Sequence, residues 1–352
     1  MNFALRTTWF VRIIEPACVG LLALALIPNV ARAGDTFAKI RATGEVRCGV
    51  SDGDLTGFSQ KDAQGRWTGL NVDFCRAVAA AALGDAEKVD FVPLRASTRF
   101  VALKSGEIDL LLRNTTWTLE REVGLGVQFV GTLFYDAQTV MVPHNSKVSR
   151  SAELNGATIC IEKGTNHNEN LADYFHAHNL TYQPLILNSL AEVKDAFFGG
   201  RCQAYTSDGS QLAALWVGAP GGSENVALLP EIIAKEPLSP AVRRGDEEWF
   251  TLVRWVLFVL IAAEEQGVTR ENVRTLATAT TNPALLRRLG LSGVAGRALG
   301  VNADWVVQIV SSVGNYGEMF ERNFGSQSAL RLERGLNRLW TQGGLLYAPP
   351  FQ

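Results

Sequence analysis

Twice along this chain, short apolar runs of strand length alternate with stretches of helical periodicity. The first series opens with a turn and strand at 44–50 and a hairpin at 58–67, with Asp62-Ala63-Gln64-Gly65 at its tip. A helix over Leu70–Leu83 follows, with Val72, Cys75, Val78, Ala79 and Ala82 on one face. Then come a strand at 89–93, a helix at Arg99–Ser105 closed by Gly106, and a buried strand at 108–112. The second series has a strand at 157–161, a helix opened by Gly164-Thr165 and running to Phe175, and a strand at Gln183–Leu187. It continues with a helix at Leu190–Phe198 and strands at 202–206 and 226–229. Such alternation selects an α/β fold with mostly parallel sheets flanked by helices. Two units joined near 140–143 and again near 230–236 describe two lobes with a two-stranded hinge. The first lobe is then discontinuous, 34–141 plus 235–352, and the second is 142–234.

A length of 352 residues suits two domains, each with its own core. Lys plus Arg is 33 against 35 Asp plus Glu, so no basic excess exists to neutralise a phosphate backbone, which excludes nucleic acid as a partner. With 17 Phe and 8 Trp the chain is neither disordered nor fibrous.

Residues 1–33 read as a secretory signal peptide: Arg6 and Arg12, an apolar run from Val19 to Ile27, then Ala31-Arg32-Ala33 as a small-x-small cleavage site before Gly34. The run is too short to span a bilayer. The apolar stretch 249–263 is also short and is interrupted by Arg254, so it reads as a buried helix. The mature protein is therefore expected to be soluble and exported to the periplasm, with a net charge of −4.

Removing Cys18 with the leader leaves Cys48, Cys75, Cys160 and Cys202, an even set that suits two disulfides in an oxidising compartment. Three pairings are open. Cys48–Cys75 with Cys160–Cys202 is favoured because each bridge then staples one lobe. His144, His167, His176 and His178 lack metal-ligand spacing, and no cofactor motif is present. The GxSxG, HExxH and P-loop patterns are absent, and no carboxylate pair stands out as acid and base.

Several segments in order carry a family resemblance. They are 44–50 as the opening strand, Gly69-Leu70-Asn71-Val72-Asp73-Phe74 at a helix start, and Leu103-Lys104-Ser105-Gly106-Glu107-Ile108-Asp109. Further along come Asn114-Thr115-Thr116-Trp117-Thr118-Leu119-Glu120-Arg121, Gly164-Thr165, and Ala204-Tyr205-Thr206-Ser207-Asp208. The chain resembles the family-3 periplasmic solute-binding proteins of amino-acid ABC transporters, and within them the general L-amino-acid-binding proteins. The resemblance implies a type II periplasmic-binding-protein fold, with an L-amino acid held between the lobes and an inner-membrane permease as partner. A monomer of broad specificity, without cofactor and without enzymatic activity, is expected. The alternative on the same scaffold is a cyclohexadienyl dehydratase-like enzyme acting on prephenate or arogenate.

A free amino acid carries a carboxylate and an ammonium on one carbon, and burying either unpaired is costly. Arg121, with its planar fork, is the expected α-carboxylate partner, completed by Thr116 and the backbone near Asn114. Thr165, at a helix start with unpaired N–H groups, faces the same carboxylate from the second lobe. Asp208 is expected to receive the α-ammonium; its other reading is a helix N-cap. Asp52 matches a position that meets a distal cation in relatives binding basic amino acids. Leu55 stands where many relatives place an aromatic wall, which implies a looser side-chain pocket. The Trp-rich C-terminal part is expected to complete lobe one. Its segment from Gly314 to Phe320 resembles a family segment to which no site role is given.

Overall fold

The computed structural model describes residues 35–351 except 54, 289 and 293, together with Met1 and Ala4; the leader motif from Arg6 to Ala33 lies outside the described residues. The elements below all belong to the compact unit Ala33–Gln352.

Helix α1 (Asp35–Thr43) leads into β1 (Val46–Ser51) and a small ribbon, β2 (Gln60–Lys61) with β3 (Trp67–Thr68). The ribbon turns because the Asp62 carboxylate accepts from the Gln64 and Arg66 backbone N–H groups, both at 2.9 Å. Then follow α2 (Leu70–Leu83), β4 (Val89–Leu94), α3 (Arg99–Ser105), β5 (Leu110–Leu111), α4 (Leu119–Gly124) and β6 (Val127–Phe129). The long β7 (Phe134–Pro143) opens the second series: β8 (Thr158–Glu162), α5 (His167–Ala177), β9 (Gln183–Leu187), α6 (Leu190–Phe198), β10 (Ala204–Asp208), α7 (Gly209–Val217) and β11 (Val226–Leu228). The chain returns through β12 (Ala234–Leu238) and β13 (Ala241–Arg243) into α8 (Glu247–Glu265). Helices α9 (Val273–Ala279), α10 (Pro283–Arg288), α11 (Val294–Ala298), α12 (Trp305–Val313) and α13 (Tyr316–Asn323) complete the list.

Two sheets result, with strand orders β4-β1-β5-β13-β6 and β11-β7-β10-β8-β9, and β12 added beside β7. Each has the same parallel core. The first strand lies between the second and the third, as β4-β1-β5 in one sheet and β9-β8-β10 in the other. This is what right-handed strand–helix–strand crossovers produce when the chain switches direction after the second strand. Both sheets are mixed rather than mostly parallel, because β13 and β7 run antiparallel to their neighbours. A chain that crosses between two bodies and comes back must reverse its direction, and these strands are where it does so. The crossing strands β7 and β12 pair with each other from Phe134↔Leu238 to Gln138↔Ala234.

Helix α2 is buried along most of its length and ends at Gly84, whose φ of 73° an L side chain rarely adopts. Cys48 of β1 is bonded to Cys75 of α2, and Cys160 of β8 to Cys202, so each bridge ties together elements of one sheet's layer. The C-terminal helices pack on the first sheet's side: α12 lies along α2, and Arg322 of α13 donates to Asp73 of α2 at 3.0 Å. Trp249 and Trp305 are fully buried, while Trp340 is half exposed. Within α8 the interrupting Arg254 donates through Nε to the Val130 carbonyl at 3.0 Å. No helix among the described residues is long and apolar enough to cross a membrane.

Candidate functional site

In open parallel sheets, side chains that act on a ligand gather at the carboxyl ends of the strands, where the strand order reverses. Here those ends meet across a seam between the two sheets. Asp52 follows β1, Arg113 follows β5, Glu162 ends β8 and Asp208 ends β10. The two halves touch closely there. A Cβ on Gly164 would lie 2.5 Å from Ser97 Cα, so only glycine fits at that point.

Arg121 is nearly buried, at 9% exposure. Thr118 caps its helix, its Oγ1 accepting from the Arg121 N–H at 3.2 Å. The guanidinium donates to the Thr116 carbonyl at 2.9 Å and, across the seam, to Asn166 Oδ1 at 3.2 Å. No carboxylate of the described residues lies within 4.0 Å of it. Burial lowers its pKa, opposed by the charges of Glu236, Asp208, Glu169 and Glu120.

Opposite Arg121 lies a group of buried acids. Asp208 occupies an N-cap position, but its side chain makes no cap bond; instead Oδ1 is 3.1 Å from His167 Nε2. Glu236, on the returning β12, accepts from Asn166 and Asn170, both at 2.9 Å, and from the Thr116 hydroxyl. Burial and the charge of Asp208 raise the Glu236 pKa. Burial alone would favour a neutral His167, but the hydrogen bond and charge of Asp208, with Glu236 and Glu162 behind it, outweigh burial and raise its pKa. The neighbouring Asp136 accepts from the Ala137 and Ser210 N–H groups and from the Ser210 hydroxyl. Burial, then the charge of Asp208, pushes its carboxyl up to about 7. Among the described residues, His167, Asp208 and Glu236 are grouped closely enough to share a cation, with donor atoms within 4.8 Å of one another.

The remaining expected residues are spread along the seam. Thr116 sits beside Arg121, whereas Asn114, with a φ of 36°, has its Oδ1 accepting from Asn71 at 2.9 Å. Thr165 turns away: its hydroxyl donates to the Glu162 carbonyl at 2.8 Å, and the neighbouring Asn166 is the side chain that reaches Arg121, Thr116 and Glu236. Asp52 has Arg95 Nε at 3.7 Å and Arg113 Nη2 at 4.0 Å, so its charge is answered from within the protein. Leu55 is buried and lines a cavity of about 440 Å³ with Leu190, Phe198, Tyr205 and Gln211.

Five residues of this seam were not singled out from sequence: Arg99, Arg113, Glu162, Asn166 and Glu236. His167 was noted there only for lacking metal-ligand spacing. The signal available for two of them is position alone, since Arg113 and Glu162 immediately follow predicted strands. Their pairing, Arg113 Nη2 to Glu162 Oε1 at 2.6 Å with both side chains buried, joins one sheet to the other.

Two α/β halves closing over a buried, charged seam define a protein that captures a small polar solute between them. Residues 46–271 match the bacterial extracellular solute-binding proteins, family 3, and the chain belongs to that family. It is 46% identical to the glutamate/glutamine/aspartate/asparagine-binding protein BztA of Rhodobacter capsulatus, covering 96% of this chain and 99% of that one. It is 47% identical to the general L-amino acid-binding periplasmic protein AapJ of Rhizobium johnstonii, covering 95% and 97%. Among solved structures, it is similar to an ABC transporter periplasmic binding protein from Brucella ovis with glutathione bound, at 43% identity and a TM-score of 0.86 over 91% of this chain and 100% of that one. These are binding proteins and not enzymes, and nothing supports a dehydratase on this scaffold.

Proposed function

We propose that this protein is the capturing component of an amino-acid ABC transporter: it takes L-amino acids from the periplasm between its lobes and delivers them to an inner-membrane permease. The observation that carries this reading is Arg121, a buried guanidinium at a strand-end seam with no carboxylate of the described residues in ion-pair range, set opposite the buried acids Asp208 and Glu236. A zwitterion answers both. Its α-carboxylate takes the Arg121 fork, with Thr116, Asn114 and the helix start at Thr165 completing the shell. Its α-ammonium donates to Asp208. Asp52 and Leu55 border the side-chain end of the pocket. Because Arg121 comes from one half and Asp208 from the other, a ligand touching both stabilises the closed arrangement.

We propose further that lobe one is 34–141 plus 235–352 and lobe two 142–234, with β7 and β12 as the hinge. On this reading the leader is cleaved after Ala33, and the mature protein acts as a monomer without nucleic acid or cofactor. Broad specificity is supported by the names of BztA and AapJ, which cover several amino acids. The test is a thermal-shift screen of the mature protein over the standard L-amino acids. Several of them should raise the melting temperature, since a ligand preferring the folded state stabilises it; a flat response to all of them would refute the assignment. The N-terminal residue of the exported protein, expected to be Gly34, tests the cleavage site.

A further inference from the structure

The hinge strand β7 has two edges. β12 pairs with one of them from Phe134 to Gln138, and β10 pairs with the other from Gln138 to Met141. Among the described residues, 134–137 therefore has no strand on its second edge. Opposite Tyr135 on β12 stands Pro237, which has no N–H and whose carbonyl accepts from the Trp117 N–H at 2.9 Å. Tyr135 accordingly turns its own N–H and carbonyl to the second edge, and Asn337 meets both. Asn337 Oδ1 accepts from the Tyr135 N–H at 2.7 Å, and Nδ2 donates to the Tyr135 carbonyl at 3.0 Å. A primary amide offers the donor and acceptor of a peptide unit, so this buried side chain stands where a strand residue would.

Asn337 is itself held. Arg334 donates to its carbonyl at 2.7 and 3.0 Å and forms a two-point ion pair with Glu264 of α8. The Tyr316 hydroxyl of α13 donates to the Leu133 carbonyl at 2.8 Å. Tyr316, Arg334 and Asn337 all lie beyond residue 271, where the match to the family ends. This C-terminal segment thus grips 133–135 and ties it to the helices of the first lobe. At Ala137 the N–H is taken by the Asp136 carboxylate at 2.8 Å, and from Gln138 onward β10 of the second lobe takes over the edge. One lobe holds β7 up to Tyr135 and the other from Gln138, with Asp136 and Ala137 between them. A hinge absorbs its motion over a few such residues.

We infer that Asn337 is a positioning residue of the hinge: it takes the place of a strand on the open edge of β7, fixes the first-lobe end of that strand, and confines the bending on closure to Asp136 and Ala137. The inference rests on the two-lobed binding reading above and adds to it where the motion occurs and which residue bounds it.

The first test needs no variant. Residue-resolved amide exchange of the mature protein is compared without and with a saturating mixture of the standard L-amino acids. Tyr135 should exchange within about threefold of the same rate in both states, because its partner belongs to its own lobe, while Ala137 should slow by about tenfold or more on binding. Equal slowing at both overturns the inference. For the second test, spin labels at Lys88→Cys and Gln183→Cys, exposed positions at the starts of β4 and β9, report the distance between the halves. Asn337→Leu, of similar size but without polar atoms, should roughly double the width of the ligand-free distance distribution and leave the bound one as in wild type; Arg334→Gln should broaden it less. A lowered melting temperature with both distributions unchanged overturns the inference and makes Asn337 ordinary packing. Wild-type labels that keep one distance with and without the mixture refute the two-lobed binding reading and this inference with it. Labels that move while Tyr135 and Ala137 respond alike refute this inference alone.

Discussion

The two α/β halves share one strand order and carry opposite charge at their strand ends. The half built on β1 brings Arg99, Arg113 and Arg121 to the seam; the half built on β8 brings Glu162, His167 and Asp208, and the returning β12 adds Glu236. A net charge of −2 for the whole chain conceals this segregation. The difference teaches why the halves must act together. The guanidinium of Arg121 comes from one half and the buried carboxylate of Asp208 from the other, so a zwitterion that engages both couples capture to closure. The Arg113–Glu162 pair crosses the seam in the same sense, joining charges that belong to different halves.

Substitutions on either side can break or sharpen this contrast. The largest effect is expected from Arg121→Ala, which removes the carboxylate partner from the cationic face. Amino-acid affinity should fall by about a hundredfold or more while circular dichroism stays native, and calorimetry reads it. Unchanged affinity would take Arg121 out of the site. Next, Glu162→Gln leaves Arg113 unpaired only when the halves are together. All ligands should then weaken by about tenfold, with the ligand-free melting temperature unmoved. A loss confined to ligand-free stability would instead place the pair in ordinary packing.

A smaller effect concerns Asp136, on the acidic side. Its folded carboxyl is raised from an ordinary 3.8 to about 7, so between those values the folded protein binds more protons than the unfolded chain. Stability therefore falls as pH rises through that window. Asp136→Asn should flatten the dependence and gain on wild type above about pH 7, as followed by urea unfolding across pH; parallel curves would contradict it. The smallest effect is Asp52→Asn. Asp52 is the acid on the cationic side, and Arg95 and Arg113 already answer its charge. Lysine and arginine binding should change by less than about threefold. A larger loss would give Asp52 a direct role with a distal cation.

Much of the scaffold is legible from local pattern. The helix over Leu70–Leu83 shows its buried face in the spacing of Val72, Cys75 and Val78, and the parallel core strands announce themselves as short apolar runs. The antiparallel edges do not, because the direction in which a strand is laid down against a neighbour is not written in its own residues. At the site, Arg121 and Asp208 are found because each lies in a contiguous motif. Asn166 and His167, beside the named Thr165, differ from it only in which way the helix start points them, and one residue of rotation there exchanges Thr165 for Asn166 as the side chain that meets Arg121.

Sequence alone determined the alternating α/β elements, the export-type leader reading, the even cysteine set, and the class of solute that Arg121 and Asp208 could bracket. Only the tertiary structure decided the charge map of the seam. Its members are far apart in the chain, with 49 positions between Arg113 and Glu162 and 120 between Thr116 and Glu236. Hydrophobic periodicity reports which face of an element is buried, but not which distant element lies across from it. A buried charge takes its meaning from that partner, and for Arg121 no carboxylate among the described residues lies within ion-pair distance.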